Sequence, residues 1–265
     1  MTDFNDIEFE IDDPVALIRL NRPARLNAFT YDTLAEIRSA VAMAAADPRV
    51  VGIVITGNGR AFSAGLDMET LAAVTAAGSS GGRRDPDALP GLFSYLLEVP
   101  KPIIAAVNGV AAGGGMILAL ASDLRFASED ASFTTVFSKR GLIAEHGSSW
   151  LLPRLVGTGH ALDLLWSSAR IDARRAHALG LVERLVAADD LIESAREYVR
   201  ELAANVAPAT LAETKRLVYR HLGADYRSAL EEAEIAQERF VAGEDAKEGA
   251  RALIEKRQAN FRRLP

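Results

Sequence analysis

Residues 101–120 read KPIIAAVNGVAAGGGMILAL, and this stretch decides the fold. Its first part, Ile103 to Val107, is a continuous apolar run of the kind that forms a strand buried on both faces. An Asn-Gly pair ends that run, and the glycines Gly113 to Gly115 open a second apolar run. The uncharged part is nearly long enough to span a bilayer. Its glycines instead favour a buried strand, a glycine turn and a buried helix.

Other apolar runs extend this pattern along the chain. Runs of strand length are Val15–Leu20, Val50–Thr56 and Leu124–Ala127. Residues 28–46 have the apolar spacing of a helix, and Thr30 or Asp32 is available near its start as a cap. Strands that alternate with helices predict an α/β fold with parallel βαβ packing rather than a sandwich.

The character of the sequence changes after Gly141. Helical patterns then dominate, over residues 148–156, 159–168, 173–179, 190–206 and 208–262. We therefore predict two regions, an α/β core over residues 1–157 and a helical C-terminal region over residues 158–265. The glycine- and serine-rich loop 78–90 is either a solvated basic loop or a segment whose Arg83 and Arg84 reach a phosphate.

Composition narrows the class of function. The net charge of −6 over 265 residues argues against general nucleic-acid binding. The sequence has no cysteine, which excludes disulfides, thiolate metal sites and a cysteine nucleophile. The histidines show no metal-ligand spacing, so no metal site is predicted. The N-terminus lacks the pattern of a signal peptide, and we expect a cytoplasmic protein without a membrane segment.

Two glycine-containing turns, residues 57–68 and 108–116, each follow a buried strand. Glycines at such points let the backbone approach a ligand and direct free N–H groups towards it. The Gly57-x-Gly59 start resembles a dinucleotide-binding motif, but no helix opens at Gly59 and the remaining spacing differs. The turns therefore predict ligand binding through the backbone, without a dinucleotide.

Six segments, in this order, resemble the crotonase superfamily (the enoyl-CoA hydratase/isomerase family): Asn21–Ala28, Phe62–Asp67, Lys101–Gly115, Leu152–Gly157, Ala176–Val182 and Glu248–Phe261. The resemblance covers almost the whole chain. It implies a spiral core of ββα units that holds an acyl-CoA site, and a helical C-terminal region through which chains form a homotrimer or a hexamer. Coenzyme A would enter as part of the substrate, with no separate cofactor.

The resemblance also implies roles for individual residues. The N–H groups of Leu66 and Gly114 would form the oxyanion hole for the thioester carbonyl. Coenzyme A would be bound along these turns and the loop before them, by Arg25, Ala64, Gly65 and Gly113. Lys256 and Phe261, near the C-terminus, would contact the coenzyme A of a neighbouring subunit. Two preorganised N–H donors suit this chemistry, because reactions beside a thioester carbonyl place negative charge on its oxygen.

The sequence departs from the family's hydratases at both catalytic acids. A hydratase positions two carboxylates, one to activate water and one to handle the proton at the α-carbon. This chain has Ile117 and Phe137 at those two positions. Glu145 aligns with a catalytic acid of isomerase-type members, and burial beside Ile143 would make it a stronger base. The alternative is a surface or helix-capping glutamate.

Neighbouring polar residues have several interpretations. His146 could orient Glu145, exchange protons itself or be a packed loop histidine. A hydrolase that combines His146 with Ser148 and Ser149 is disfavoured, because adjacent residues rarely face each other and no nucleophile-elbow motif is present. Asp67 is either a group near the site or, more simply, the N-cap of the following helix.

The sequence fits three functions, and it does not specify the acyl group of the substrate. Double-bond isomerisation through Glu145 is favoured, with hydration as the chemical alternative and a non-catalytic acyl-CoA-binding paralogue as the non-enzyme alternative. Candidate walls of the acyl pocket are Leu71, Val74, Leu92, Phe93, Trp150 and the 78–90 loop.

Overall fold

The computed structural model describes residues 4–77 and 89–264. Those residues form ten strands: β1 (Ile7–Asp12), β2 (Val15–Leu20), β3 (Gly52–Gly57), β4 (Ala61–Ser63), β5 (Ile103–Val107), β6 (Val110–Ala112), β7 (Leu124–Ser128), β8 (Ser132–Thr134), β9 (Ile171–Asp172) and β10 (Arg184–Val186). They also form ten α-helices: α1 (Tyr31–Ala46), α2 (Met68–Ala77), α3 (Gly114–Ala121), α4 (Ser148–Val156), α5 (Thr158–Ser167), α6 (Ala173–Ala178), α7 (Leu191–Asn205), α8 (Pro208–His221), α9 (Tyr226–Val241) and α10 (Glu244–Glu255).

The strands build two sheets. The larger has the order β1-β2-β3-β5-β7-β10, and the smaller has the order β4-β6-β8-β9. All neighbours are parallel except β1 with β2 and β8 with β9. From β3 to β8 the chain alternates between the sheets, one strand in the larger and the next in the smaller. This alternation is the spiral of ββα units that the resemblance implied, and it confirms the predicted α/β class.

The apolar runs became the central strands of the larger sheet. The stretch from Ile103 to Ala121 forms β5, β6 and α3, and every residue of α3 is buried. Among the described residues, no helix combines the length and apolarity that crossing a bilayer requires. The two predicted glycine turns contain the short strands β4 and β6, which the sequence did not predict. Three residues are too few to show the alternation that marks a strand.

Helices cover both faces of the larger sheet. On one face, the buried Ile37 and Val41 of α1 join the core formed by α3 and the sheets. On the other face, Ala195 and Val199 of α7 pack against residues of β2, β3 and β5. Helix α1 begins at Tyr31, later than the predicted Ala28, because the Thr30 hydroxyl accepts the Thr33 N–H and caps the helix there.

The C-terminal region is less uniform than predicted. Strand β9 pairs with β8 and strand β10 pairs with β7, so the predicted helical region 158–265 contributes one strand to each sheet. Residues 208–262, read as one helical tail, form the separate helices α8, α9 and α10. Helix α10 packs against α9 and buries only Ala252, while Leu253 and Ile254 are about 80% exposed.

Candidate active site

The first glycine turn is held by the loop that precedes α1. The Ala64 N–H donates to the Leu26 carbonyl (2.9 Å), and the Phe29 N–H donates to the Gly65 carbonyl (2.7 Å). The Phe29 carbonyl in turn accepts the Asp67 N–H (2.9 Å). Among the described residues, the Leu66 N–H between these bonds donates to no protein acceptor. A fixed backbone therefore carries a free N–H at Leu66.

The buried residue Asn27 connects the loop before α1 to the first glycine turn. Its side chain is buried, donates to the carbonyls of Asn58 (2.9 Å) and Ala61 (2.8 Å), and accepts the Arg22 N–H (2.9 Å). Its own carbonyl accepts the Ser63 hydroxyl (2.8 Å). Sequence reasoning quoted Asn27 within a motif but gave it no role. The available signal was its place beside the ligand-binding turn, since buried asparagine needs partners for its whole amide.

The second glycine turn lies directly against the first. A Cβ built on Gly65 would lie 2.7 Å from the Ala112 carbonyl oxygen and 2.8 Å from the Gly114 nitrogen. A Cβ on Gly115 would lie 2.2 Å from the Ser63 carbonyl oxygen. Real side chains cannot approach backbone atoms this closely. Glycine is therefore required for the two turns to touch.

The Gly114 N–H lies at the first position of α3, where helix geometry supplies no acceptor. Within the described ranges, it donates to no protein group. The positive end of the helix dipole adds to its attraction for negative charge. That the N–H groups of Leu66 and Gly114 converge on one oxygen stays a prediction, and the contact between Gly65 and Gly114 supports it.

Glu145 lies in a tight turn just before α4. Its carbonyl accepts both the N–H (2.9 Å) and the hydroxyl (2.8 Å) of Ser148, which is completely buried. His146 and Gly147 both have left-handed backbones, with φ of 50° and 83°. The start of α4 therefore fixes the peptide that carries the Glu145 carboxylate. The Ser148 hydroxyl is committed to this turn, which argues against Ser148 as the nucleophile of a hydrolase.

The surroundings of Glu145 differ from the prediction in one respect. Ile143, expected to help bury the carboxylate, is 80% exposed, and the Glu145 side chain keeps 33% of its surface exposed. His146 lies beside it, with Nε2 3.6 Å from Oε2 of Glu145. Burial lowers the pKa of His146, and the nearby Glu145 carboxylate opposes that shift only in part. The lowered pKa favours the neutral form of His146.

The positions of the two hydratase acids are apolar and buried. Ile117 is 1% exposed and Phe137 is 6% exposed, and both belong to the main core. Asp67, the other carboxylate beside the glycine turns, accepts the Glu69 N–H at the start of α2 (3.1 Å). It also pairs with Arg22 (3.4 Å). This confirms the N-cap interpretation of Asp67.

The remaining residues predicted to contact coenzyme A are Arg25, Lys256 and Phe261. Arg25 is exposed on a short 3-10 helix, and its guanidinium has no protein partner among the described residues. Lys256 is exposed and ends α10 with a left-handed backbone. Phe261 packs on Gly249 of α10, since a Cβ there would lie 3.7 Å from its ring. Their contacts with coenzyme A stay predictions.

The candidate pocket walls are only partly described. Leu92 and Trp150 are half-buried against the core, whereas Phe93 is buried edge-on against Phe29, with ring centroids 5.4 Å apart. The side chain of Val74 and residues 78–88, with Arg83 and Arg84, lie outside the described residues. Leu71 follows Asp67 by one helical turn, and its N–H donates to the Asp67 carbonyl (2.8 Å).

A spiral of ββα units with two touching glycine turns, each presenting a free N–H, defines the class of crotonase folds. The family model for enoyl-CoA hydratase/isomerase matches residues 10–263. This chain belongs to that family, within the crotonase superfamily.

Relatives and solved structures agree over nearly the full length. Crotonyl-CoA hydratase of Syntrophomonas wolfei is 35% identical over 97% of this chain and 98% of that protein. Short-chain-enoyl-CoA hydratase of Clostridium acetobutylicum is 33% identical over 97% of both chains. The crystal structure of an enoyl-CoA hydratase/isomerase from Mycobacterium paratuberculosis has a TM-score of 0.88 at 32% identity, and it covers 98% of this chain and 99% of that chain.

Proposed function

We propose that this protein moves a carbon–carbon double bond in an enoyl-CoA thioester, with Glu145 as the single proton-transferring group. Glu145 removes a proton from the carbon beside the thioester, and the Leu66 and Gly114 N–H groups stabilise the dienolate oxygen. The same carboxyl group then returns the proton further along the acyl chain. The reaction needs no cofactor beyond the coenzyme A that the substrate carries.

One observation carries this proposal. At the two positions where a hydratase holds its acids, the chain has the buried apolar residues Ile117 and Phe137, which cannot exchange protons. Asp67 is occupied as a helix cap, paired with Arg22. Glu145 keeps an accessible carboxylate on a rigid turn. Migration needs one such group, whereas hydration needs a second group to activate water.

Hydration is the second candidate, and the relatives named as hydratases favour it. A binding paralogue without turnover is the third, favoured by the loss of both acids. We place coenzyme A along Arg25, Ala64, Gly65 and Gly113. Lys256 and Phe261 reach it from a neighbouring subunit of a homotrimer or hexamer.

The test offers 3-enoyl-CoA and 2-enoyl-CoA separately and follows the absorbance of the conjugated thioester. We expect migration from 3-enoyl-CoA without hydration of 2-enoyl-CoA. Glu145→Gln should lower kcat by about 10²–10⁴-fold, the usual contribution of a general acid–base group. Asp67→Asn should lower the thermal midpoint but retain migration.

Other outcomes assign the other functions. Hydration that persists in Glu145→Gln would overturn the mechanism and favour a hydratase with a different water-activating group. Tight binding of both thioesters without turnover would favour the paralogue. Migration lost in Asp67→Asn but retained in Glu145→Gln would move the catalytic role to Asp67.

A further inference from the structure

Val136 has a backbone conformation that its side chain disfavours. Its φ is 56°, in the left-handed region, where a β-branched residue is a genuine outlier. Such strain persists only where the surrounding structure fixes the residue, and it concentrates at functional sites. Val136 directly precedes Phe137, the residue that stands in place of a hydratase acid.

The strained residue lies against the second glycine turn. A Cβ built on Gly113 would lie 3.1 Å from Cγ2 of Val136, so the valine side chain occupies the space over Gly113. Two residues earlier in the same segment, the Thr134 carbonyl accepts the Gly113 N–H (3.1 Å). Residues 134–139, called here the clamp segment, therefore contact Gly113 through one hydrogen bond and one side chain.

The end of α5 holds the clamp segment in place. Carbonyl groups at a helix C-terminus lack helical donors and need other partners. Here carbonyls at the end of α5 and just after it accept side-chain donors of the clamp segment, in the pairs Thr135 Oγ1 to Leu164 (3.1 Å), Ser138 Oγ to Leu165 (2.5 Å), and Lys139 Nζ to Ser168 (3.0 Å). The Leu164 carbonyl also accepts the Ser168 N–H (3.1 Å). A further bond joins Thr134 Oγ1 to the Ser168 carbonyl (3.1 Å). Bonds on both sides of Val136 thus fix its strained backbone.

Gly113 needs such a constraint. Its ψ of −117° sets the plane of the peptide that carries the Gly114 N–H. Glycine moves through φ and ψ more freely than other residues, so Gly113 alone does not fix the direction of that N–H. An oxyanion hole works only when its donors are oriented before the charge develops.

We propose that Val136 is a positioning residue for the oxyanion hole. The clamp segment holds it in a strained conformation, its side chain restrains Gly113, and the Gly114 N–H is thereby directed at the thioester oxygen. This role rests on the proposed function, because it requires that the Gly114 N–H binds the thioester carbonyl.

Val136→Gly tests the role directly. Glycine accepts a φ of 56° without strain, so the variant should fold with a thermal midpoint close to that of the wild type. It removes the side chain over Gly113, and we expect kcat for double-bond migration to fall about 10²-fold, as misplacement by about 1 Å does elsewhere. KM should change less than kcat, because Gly113 is the one proposed coenzyme A contact that adjoins Val136 among the described residues.

The spectroscopic readout is the carbonyl stretch of bound 2-enoyl-CoA with an isotope-labelled thioester carbonyl. In the wild type, hydrogen bonds to the oxygen should shift this stretch to lower wavenumber, and Val136→Gly should reduce the shift. No shift in the wild type would overturn the oxyanion hole itself. A wild-type shift retained in full by Val136→Gly would overturn only the positioning role.

Two further variants test the clamp. Lys139→Met removes one bond to Ser168 and should reduce kcat and the carbonyl shift in the same direction as Val136→Gly, but less. Ser167→Ala is the control, because Ser167 lies at the same helix end and its hydroxyl donates to Asp163 of α5 (2.7 Å). Wild-type values for both variants would show that the clamp does not hold Val136.

Discussion

Asn27 connects the loop before α1 to the first glycine turn, so its amide should affect stability and rate together. Asn27→Ala leaves the Asn58 carbonyl and the Arg22 N–H without their buried partner, and it leaves the Ala61 carbonyl with the longer bond from the Asn108 amide (3.3 Å). It also places alanine at a φ of 54°. We expect the free energy of unfolding to fall by about 3 kcal/mol, since leaving buried polar groups unpaired costs about 1–3 kcal/mol. Denaturant unfolding measures this change.

The same variant should lower kcat, because the backbone that carries the Leu66 N–H loses its tether. Asn21→Ala is the matched control, since within the described part of the chain the Asn21 side chain makes a single bond, accepted from Asn58 (3.0 Å). Equal losses in the two variants would contradict a special role for Asn27.

The lowered pKa of His146 predicts that the stability of the folded protein depends on pH. Burial lowers the pKa of His146 in the folded chain below 6.5, the ordinary value that it has in the unfolded chain. At a pH between these two pKa values, His146 binds a proton in the unfolded chain but not in the folded chain. The free energy of unfolding therefore falls as pH drops through this window. The loss is complete below the folded-state pKa and absent above pH 6.5. Thermal midpoints measured from about pH 5 to about pH 7.5 test this sign.

His146→Asn removes the titrating group and suits the left-handed backbone, because asparagine tolerates a positive φ. Its thermal midpoint should depend less on pH below 6.5 than that of the wild type. An unchanged slope would assign the pH dependence to other groups.

Site residues that act through their backbone N–H groups were predictable from the sequence. Leu66 and Gly114 were identified by their motifs, and the structure places their turns in contact. The surroundings of Glu145 were not predictable, because whether Ile143 turns inward or outward depends on how the turn before α4 folds. The left-handed backbone of Val136 also leaves no local signal, since it arises from bonds to α5, distant in sequence.

At the scale of elements, two helices offer a matched pair of glycines. Gly115 and Gly159 are each the second residue of a helix, α3 and α5. A Cβ on Gly115 would lie 2.2 Å from the Ser63 carbonyl oxygen, whereas a Cβ on Gly159 would meet nothing within 4 Å. Gly115→Ala should destabilise the fold by about 3 kcal/mol or more, because backbone atoms cannot move aside as flexible side chains do.

Gly159→Ala should be neutral or stabilise the protein by up to about 1 kcal/mol through helix propensity. Thermal or denaturant unfolding of both variants gives the comparison. A mild effect at Gly115 would mean that α3 can move away from β4, and the contact between the two glycine turns would then not be fixed.

Strands of five or six residues were more predictable than shorter ones. β2 and β5 match their predicted bounds, because apolar runs of five or six residues mark a buried strand. The strands β4, β6 and β8 have three residues each, and only their parallel pairing across distant parts of the chain defines them. The two sheets of the spiral were therefore predicted from the family resemblance and not from local patterns.

At the scale of the whole molecule, α10 finds little apolar cover among the residues that the structure describes. Leu253 and Ile254 are about 80% exposed, and Ile235 and Val241 of α9 are 64% and 65% exposed. Exposed apolar residues on two helices that pack together are typical of an interface with another chain. The proposed homotrimer or hexamer would provide that cover. Lys256 follows Ile254 by two residues, so the same contact would bring Lys256 to a neighbouring subunit.

The variant with both Leu253→Glu and Ile254→Glu tests this arrangement. We expect its mass, measured by light scattering after size exclusion, to fall from that of a trimer or hexamer to that of a monomer, because buried charges oppose association. KM for the acyl-CoA should rise, since the neighbour's Lys256 is lost. Lys256→Met is the control, which should raise KM and leave the mass unchanged. A monomeric wild type, or a double variant that keeps the assembled mass, would remove α10 from the interface and Lys256 from the neighbouring site.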